Sequence, residues 1–267
     1  MTTAAFSLSR PALRTAWLWL GALLLSGSAW AAEVDYGSLI DIAGRQRMLS
    51  QRIVKAYCQV GLQVTPEVSQ AQLGGAVKRF DSQLRSLAAH APNAEARDAA
   101  ARVATLWRGL RQTARAPVSR DGARELAGRS EAVLQASQAL VLALERAAGT
   151  PEAKLVNTAG RQRMLSQRLA KLYMLRAWDI DSASAQADID ATGKEFAAAL
   201  ASLRAARENT PAIRAELEAV ALQWEWFRSA IELQGAESYA LVVADASESI
   251  LNSMELITAK YARLARR

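Results

Sequence analysis

Apolar residues recur three and four positions apart along most of this chain, as in Leu126, Val133, Leu134, Leu140, Val141 and Leu144. That period belongs to helices with one buried face. No stretch alternates apolar and polar residues as a half-buried strand does. Prolines punctuate the pattern at Pro66, Pro92, Pro117, Pro151 and Pro211. Thr65-Pro66, Thr150-Pro151 and Thr210-Pro211 read as helix openings, with threonine as N-cap and proline at the first helical position. Two further breaks fall at Asp179-Ile180-Asp181-Ser182 and Gln234-Gly235-Ala236-Glu237. The breaks predict helices over 34–62, 68–90, 94–115, 121–148, 152–179, 183–208, 211–234 and 237–265. Short connections between helices of three to seven turns favour antiparallel neighbours. The expected fold is all-α: two tandem up-and-down four-helix bundles, an internal duplication forming an intramolecular pseudo-dimer.

The duplication is written into the sequence. Ala43-Gly44-Arg45-Gln46-Arg47-Met48-Leu49-Ser50-Gln51-Arg52 recurs unchanged as Ala159-Gly160-Arg161-Gln162-Arg163-Met164-Leu165-Ser166-Gln167-Arg168. The offset that carries Gly44 onto Gly160 also carries Tyr57 onto Tyr173, Cys58 onto Met174, Phe80 onto Phe196 and Leu84 onto Leu200. Trp107 matches Trp224 at an offset one residue longer. Ala136-Ser137 and Ala246-Ser247 are expected to open matching runs that reach Glu145 and Glu255. The Phe and Trp residues read as core anchors. The domain division predicted is 1–31 as a signal peptide, 32–149 as the first four-helix unit and 150–267 as the second.

The N-terminal expectation rests on Arg10 and Arg14, the short apolar run Ala16 to Leu25, and the Ala-x-Ala site Ala29-Trp30-Ala31. The chain is therefore expected to be exported to the periplasm, with no transmembrane segment after cleavage and none before its end at Arg266-Arg267. About 235 residues then remain, enough for one large domain or two ordinary ones. The formal charge of +7 suits small anions, and export argues against nucleic acid. The single cysteine, Cys58, cannot form an internal disulfide and reads as a small core hydrophobe. With one histidine, His90, and no cysteine cluster, no metal or cofactor is expected. No phosphate loop or nucleophile–base pattern points to an enzyme.

From Arg45 to Lys55 the chain carries four cations and no acid, and again from Arg161 to Lys171. A helix built for stability alone interleaves acids three or four residues away. At 100° per residue, Arg47 shares a side with Gly44, Ser50 and Gln51, whereas Arg45 and Arg52 lie about 140–160° away. Arg45, Arg52 and Lys55 fit a solvated basic face paired to distant acids. Arg47 fits a helix–helix contact. If the two decapeptide helices pack about a pseudo-twofold axis, Arg47 faces Arg163. At an effective dielectric of 20, guanidinium groups about 6 Å apart repel by roughly 3 kcal/mol. One anion about 4 Å from each gains roughly 4 kcal/mol twice. A planar oxyanion matches the guanidinium fork.

The repeated decapeptide resembles the signature of the PilJ-type sensor domain, the extracytoplasmic N-terminal module of type IV pili methyl-accepting chemotaxis transducers. It is also similar to the P-box of NarX-type nitrate/nitrite sensors, Ala-Gly-x-x-Arg-Met-x-Ser-x-Arg on the first helix of a four-helix bundle. The resemblance implies nitrate, or nitrite, held between the arginines before Met48 and Met164. The ligand-binding residues expected are Arg47, Arg163, Gly44, Gly160, Ser50, Ser166, Gln51 and Gln167. It also implies a membrane sensor or transporter as signalling partner. The alternative is a helical module that binds no ligand and docks on a chemoreceptor, sensor kinase or pilus-associated complex.

Overall fold

The structure is a computed structural model and describes Thr2 and residues 34–180, 182–232 and 237–265. The predicted signal segment lies outside the described residues, apart from Thr2. Eight helices follow in the expected order among the described residues: α1 Tyr36–Gly61, α2 Pro66–Ala89, α3 Ala94–Arg115, α4 Arg120–Ala148, α5 Pro151–Ala177, α6 Ser182–Arg204, α7 Pro211–Glu232 and α8 Glu237–Leu264. No described helix is long and apolar enough to cross a membrane.

Local chemistry sets most of the helix ends. Thr150 and Thr210 accept hydrogen bonds from the backbone N–H groups of Ala153 and Ile213, at 3.3 and 3.2 Å, as N-caps do. Thr65 departs from that expectation. Its side chain makes no cap bond, and its φ of 42° places it in the left-handed region. The preceding Gln63 is left-handed too, at 59°, so α1 turns into α2 through two strained residues. Helix α6 stops at Arg204, short of the expected 208. Buried Asn209 explains the stop: its Nδ2 donates to the carbonyl of Leu203 at 2.7 Å, satisfying a helix-end acceptor. Its Oδ1 accepts from the Tyr261 hydroxyl at 2.5 Å, tying that turn to α8.

Helices α1–α4 and α5–α8 form two four-helix bundles, each closed by its first and fourth helices and by its second and third. Phe80 stacks on Trp107 with centroids 3.8 Å apart, and Phe196 stacks on Trp224 at 4.3 Å. These pairs anchor equivalent places in the two cores. The bundles meet through α1 and α5, so that Asp35–Arg267 is one compact unit. Helices α1 and α5 run in the same direction: Gly44 meets Gly160, and further along both helices Gly61 meets Trp178. A Cβ at Gly61 would lie 2.1 Å from the Trp178 ring. Because α1 and α5 each touch their own bundle and one another, both are buried nearly all round.

Cys58 is fully buried, as is Met174 at the equivalent place. Burial pushes its thiol up to about 12, partly offset by the charge of Lys171. The unfolded thiol ionises near 9. From that pH upward the unfolded state loses a proton that the folded state keeps, so this group removes stability as pH rises toward 12. Cys58→Ala should therefore flatten the alkaline loss by at most about 1.4 kcal/mol per pH unit, read from urea unfolding at pH 8 to 11. A variant with the unchanged slope would show that the thiol is not protected.

Candidate functional site

The Gly44–Gly160 contact is the centre of the molecule's polar interior. Side chains on a helix lean toward its N-terminus, so Arg47 reaches back over Gly44 and Arg163 over Gly160. A Cβ at Gly160 would lie 3.1 Å from Arg163 Nη2 and 3.3 Å from Arg47 Nη2. The two nitrogens are thus less than about 7 Å apart, where like charges still repel by some kilocalories in a low dielectric. A side chain at either glycine would press on both guanidinium groups, which would have to give by a few tenths of an ångström. Both arginines are fully buried, and both Nε–H groups lack a partner among the described residues.

The two halves use the same geometry with different charges. Arg47 Nη1 donates to Gln138 Oε1 at 2.5 Å, and Nη2 to the Asn157 carbonyl at 3.3 Å. Arg163 Nη1 pairs with Glu255 Oε2 at 2.9 Å, and Nη2 donates to the Asp41 carbonyl at 3.3 Å. Arg163 Nη2 also lies 2.7 Å from Asp41 Oδ1, an ion pair whose oxygen is out of line for a hydrogen bond. Asp41 and Asn157 are equivalent positions of α1 and α5, and Glu255 and Gln138 are equivalent positions of α8 and α4. One half of the site therefore has two carboxylates where the other has two amides. Arg163 is neutralised by protein groups; Arg47 has no carboxylate within ion-pair distance among the described residues. Burial first, then repulsion from Arg161 and Arg163, pushes Arg47 well below its ordinary value, to about 9. A guanidinium still keeps its proton at neutral pH.

The other expected residues surround this pair. Ser50 and Ser166 are buried and donate to the carbonyls of Arg47 and Arg163, at 2.8 and 3.0 Å. Their hydroxyl protons are thereby committed to the helix. Gln51 Nε2 donates to Ser50 Oγ at 3.1 Å, and Gln167 Nε2 to the Ser247 carbonyl at 3.0 Å. Both glutamine Oε1 atoms are buried without a partner.

The remaining cations pair with distant acids as expected, but not all on a solvated face. Lys55 is not on a solvated face: it is fully buried, and its Nζ contacts Glu248 Oε1 at 2.5 Å and Ser247 Oγ at 3.2 Å. Arg52 shares Glu248 at 2.5 Å. Lys171 and Arg168 repeat this on Glu131, at 2.6 and 3.0 Å. Burial lowers the affinity of both lysines for the proton, with the carboxylates opposing it. A helix in contact with two neighbouring bundles has no solvated face. Arg45 also reaches the centre, sharing Asp41 at 3.1 Å and Glu255 at 2.7 Å with Arg163. Angular position on one helix excluded Arg45 from the site, but Asp41, one turn back on α1, and Glu255 of α8 bridge the gap.

These contacts also correct the register between α4 and α8. Lys55 meets Ser247-Glu248 and Lys171 meets Glu131, which follows Ser130, so the offset is the one that carries Trp107 onto Trp224. Glu255 thus matches Gln138 rather than Glu145. Glu145 instead accepts from the Asn157 amide. Applying the tryptophan offset to the last helix would have exposed Gln138 opposite Glu255, and the decapeptide offset already places Asp41 on Asn157.

Among known protein families, the model described as "Type IV pili methyl-accepting chemotaxis transducer N-term", PilJ, matches the chain twice, at residues 31–141 and 148–248. No curated protein and no solved structure matches it.

Proposed function

The chain belongs to the PilJ family, a family of sensing rather than catalytic modules, and we propose that it is an exported sensor for a small oxyanion, nitrate before nitrite. The ligand is held between Arg47 and Arg163, and occupancy is reported to a membrane sensor or transporter. The observation that carries this reading is the pair of fully buried guanidinium groups converging on Gly44 and Gly160, each with an unpartnered Nε–H. Buried donors of this kind cost roughly 1–3 kcal/mol each when unpaired. An oxyanion accepts from both and supplies the negative charge that Arg47 lacks. Asp41 and Glu255 already neutralise Arg163, so a monoanion balances the site better than a dianion. The unpaired glutamine oxygens lie at the edge of the same interior and accept only from a ligand or water carrying a proton.

The test is a thermal-shift series with nitrate, nitrite, chloride and sulfate. Nitrate at about 100 times its dissociation constant should add roughly 2.7 kcal/mol of stability. Arg47→Ala or Arg163→Ala should abolish the shift, and Arg52→Ala, whose partner Glu248 lies elsewhere, should retain most of it. Equal losses in all three variants would indicate a diffuse basic interior. No shift with any anion would favour the docking module.

A further inference from the structure

The two bundles differ at one place that the paired arginines do not involve. In the first, Asp81 of α2 binds the indole N–H of the Phe80–Trp107 stack. Its Oδ1 accepts from Trp107 Nε1 at 2.7 Å and from Arg111 Nη1 at 3.1 Å, and its Oδ2 lies 3.6 Å from Arg115 Nη2. In the second bundle the decapeptide offset puts Ala197 where Asp81 stands, and Gly193 where Val77 stands. Trp224 and Arg228 are retained opposite Trp107 and Arg111, and Glu232 replaces Arg115.

The equivalent groove of the first bundle holds a cavity of about 500 Å³ beside Val77 and Lys78; in the second, with neither the carboxylate nor the valine side chain, the cleft of about 340 Å³ between α6 and α7 reaches Trp224 and Arg228. That is at the lower end of the range for small-molecule sites. Trp224 forms its floor, with Leu169, Ile189 and Ile231 as apolar walls and Lys194 and Arg228 at the mouth. A Cβ at Gly193 would lie 3.6 and 3.9 Å from Cη2 and Cζ2 of Trp224, so the indole ring is covered by no side chain there. Trp224 Nε1 has no hydrogen-bond partner among the described residues. Arg228, lacking an aspartate across the groove, turns to Glu225 at 2.8 Å and Glu232 at 3.5 Å on its own helix. Such exposed pairs are weak, typically below about 1 kcal/mol, and release their arginine readily.

We propose that this cleft binds a small organic monocarboxylate with an apolar body. The ligand's carboxylate takes the place that Asp81 fills in the first bundle, accepting from Trp224 Nε1 and Arg228. Its apolar body covers the part of the indole ring that faces Gly193. The first bundle shows the same donor pair holding a carboxylate in the protein's own chain, which identifies the chemical class. The mouth also carries Asp190, Glu225 and Glu232, which Lys194 and Arg228 only partly offset, so a single ligand carboxylate is held by Trp224 Nε1 and Arg228 against that repulsion and a second is not. The site stands independently of the oxyanion reading.

Calorimetric titration of the full chain with benzoate and with 4-methylpentanoate tests the proposal, with benzamide and succinate as controls. Both monocarboxylates should bind saturably and raise the melting temperature, while benzamide and succinate bind at least tenfold more weakly. Ala197→Asp restores the internal carboxylate. It should weaken benzoate at least tenfold while raising the melting temperature of the unliganded protein. Gly193→Val should also block binding, and Arg47→Met should leave it unchanged. The proposal fails if neither monocarboxylate binds, or if benzamide or succinate matches benzoate. It also fails if Ala197→Asp binds benzoate as before, or if Arg47→Met removes the binding.

Discussion

Arg163→Met should destabilise the protein by about 3 kcal/mol or more, whereas Arg47→Met should leave its stability unchanged or raise it. The two residues are the same letter in the same decapeptide, equally buried, at equivalent points of α1 and α5. They differ in what faces them. Removing Arg163 strands Asp41 and Glu255, whose side chains are only 13% and 23% exposed, with Arg45 as their remaining partner. Breaking a buried ion pair from one side leaves an uncompensated charge, and that charge dominates the cost. Removing Arg47 takes away a cation that no carboxylate contacts and relieves its repulsion with Arg161 and Arg163. Methionine keeps most of the length and apolar volume, so no large cavity opens. Urea unfolding in anion-free buffer measures both, provided the denaturant slopes match. Equal losses would show that the difference in charge between the halves is not felt by the fold.

Asp41→Asn combined with Glu255→Gln should tighten nitrate binding at least tenfold, about 1.4 kcal/mol, while destabilising the protein in anion-free buffer. The double change puts beside Arg163 the same neutral side chains, Asn and Gln, that stand at the equivalent positions 157 and 138 near Arg47. Each carboxylate about 5 Å from a bound anion repels it by roughly 3 kcal/mol at an effective dielectric of 20, and each also occupies a donor that the anion needs. Without them the two guanidinium groups repel unopposed until an anion enters. Stability should then depend steeply on nitrate concentration, by the linkage between binding and folding. Weaker or unchanged nitrate binding in the double variant would mean that the anion is not held between these arginines.

The decapeptide, its exact recurrence and the proline punctuation were enough to read eight helices, two bundles and the convergence of Arg47 on Arg163. Each of these depends on local period or on symmetry, and a repeated helix face that needs to be buried finds its copy. Helix ends at Thr150 and Thr210 were legible for the same reason, because capping is decided within one turn. The end of α6 was not, since Asn209 stops it with the help of Tyr261 from a distant helix.

What only the tertiary structure decided is how the interior is balanced electrostatically. Burial of Lys55, its pairing with Glu248, and the sharing of Asp41 and Glu255 between Arg45 and Arg163 all join residues far apart in the chain. A helical wheel resolves the angle around one helix but not which neighbour supplies the counter-charge. The same holds for the α6–α7 cleft. Gly193 and Ala197 are unremarkable helix residues until the equivalent bundle shows that a valine and an aspartate belong over that tryptophan. Periodicity determines which faces are buried; only packing determines which charges, and which vacant places, meet there.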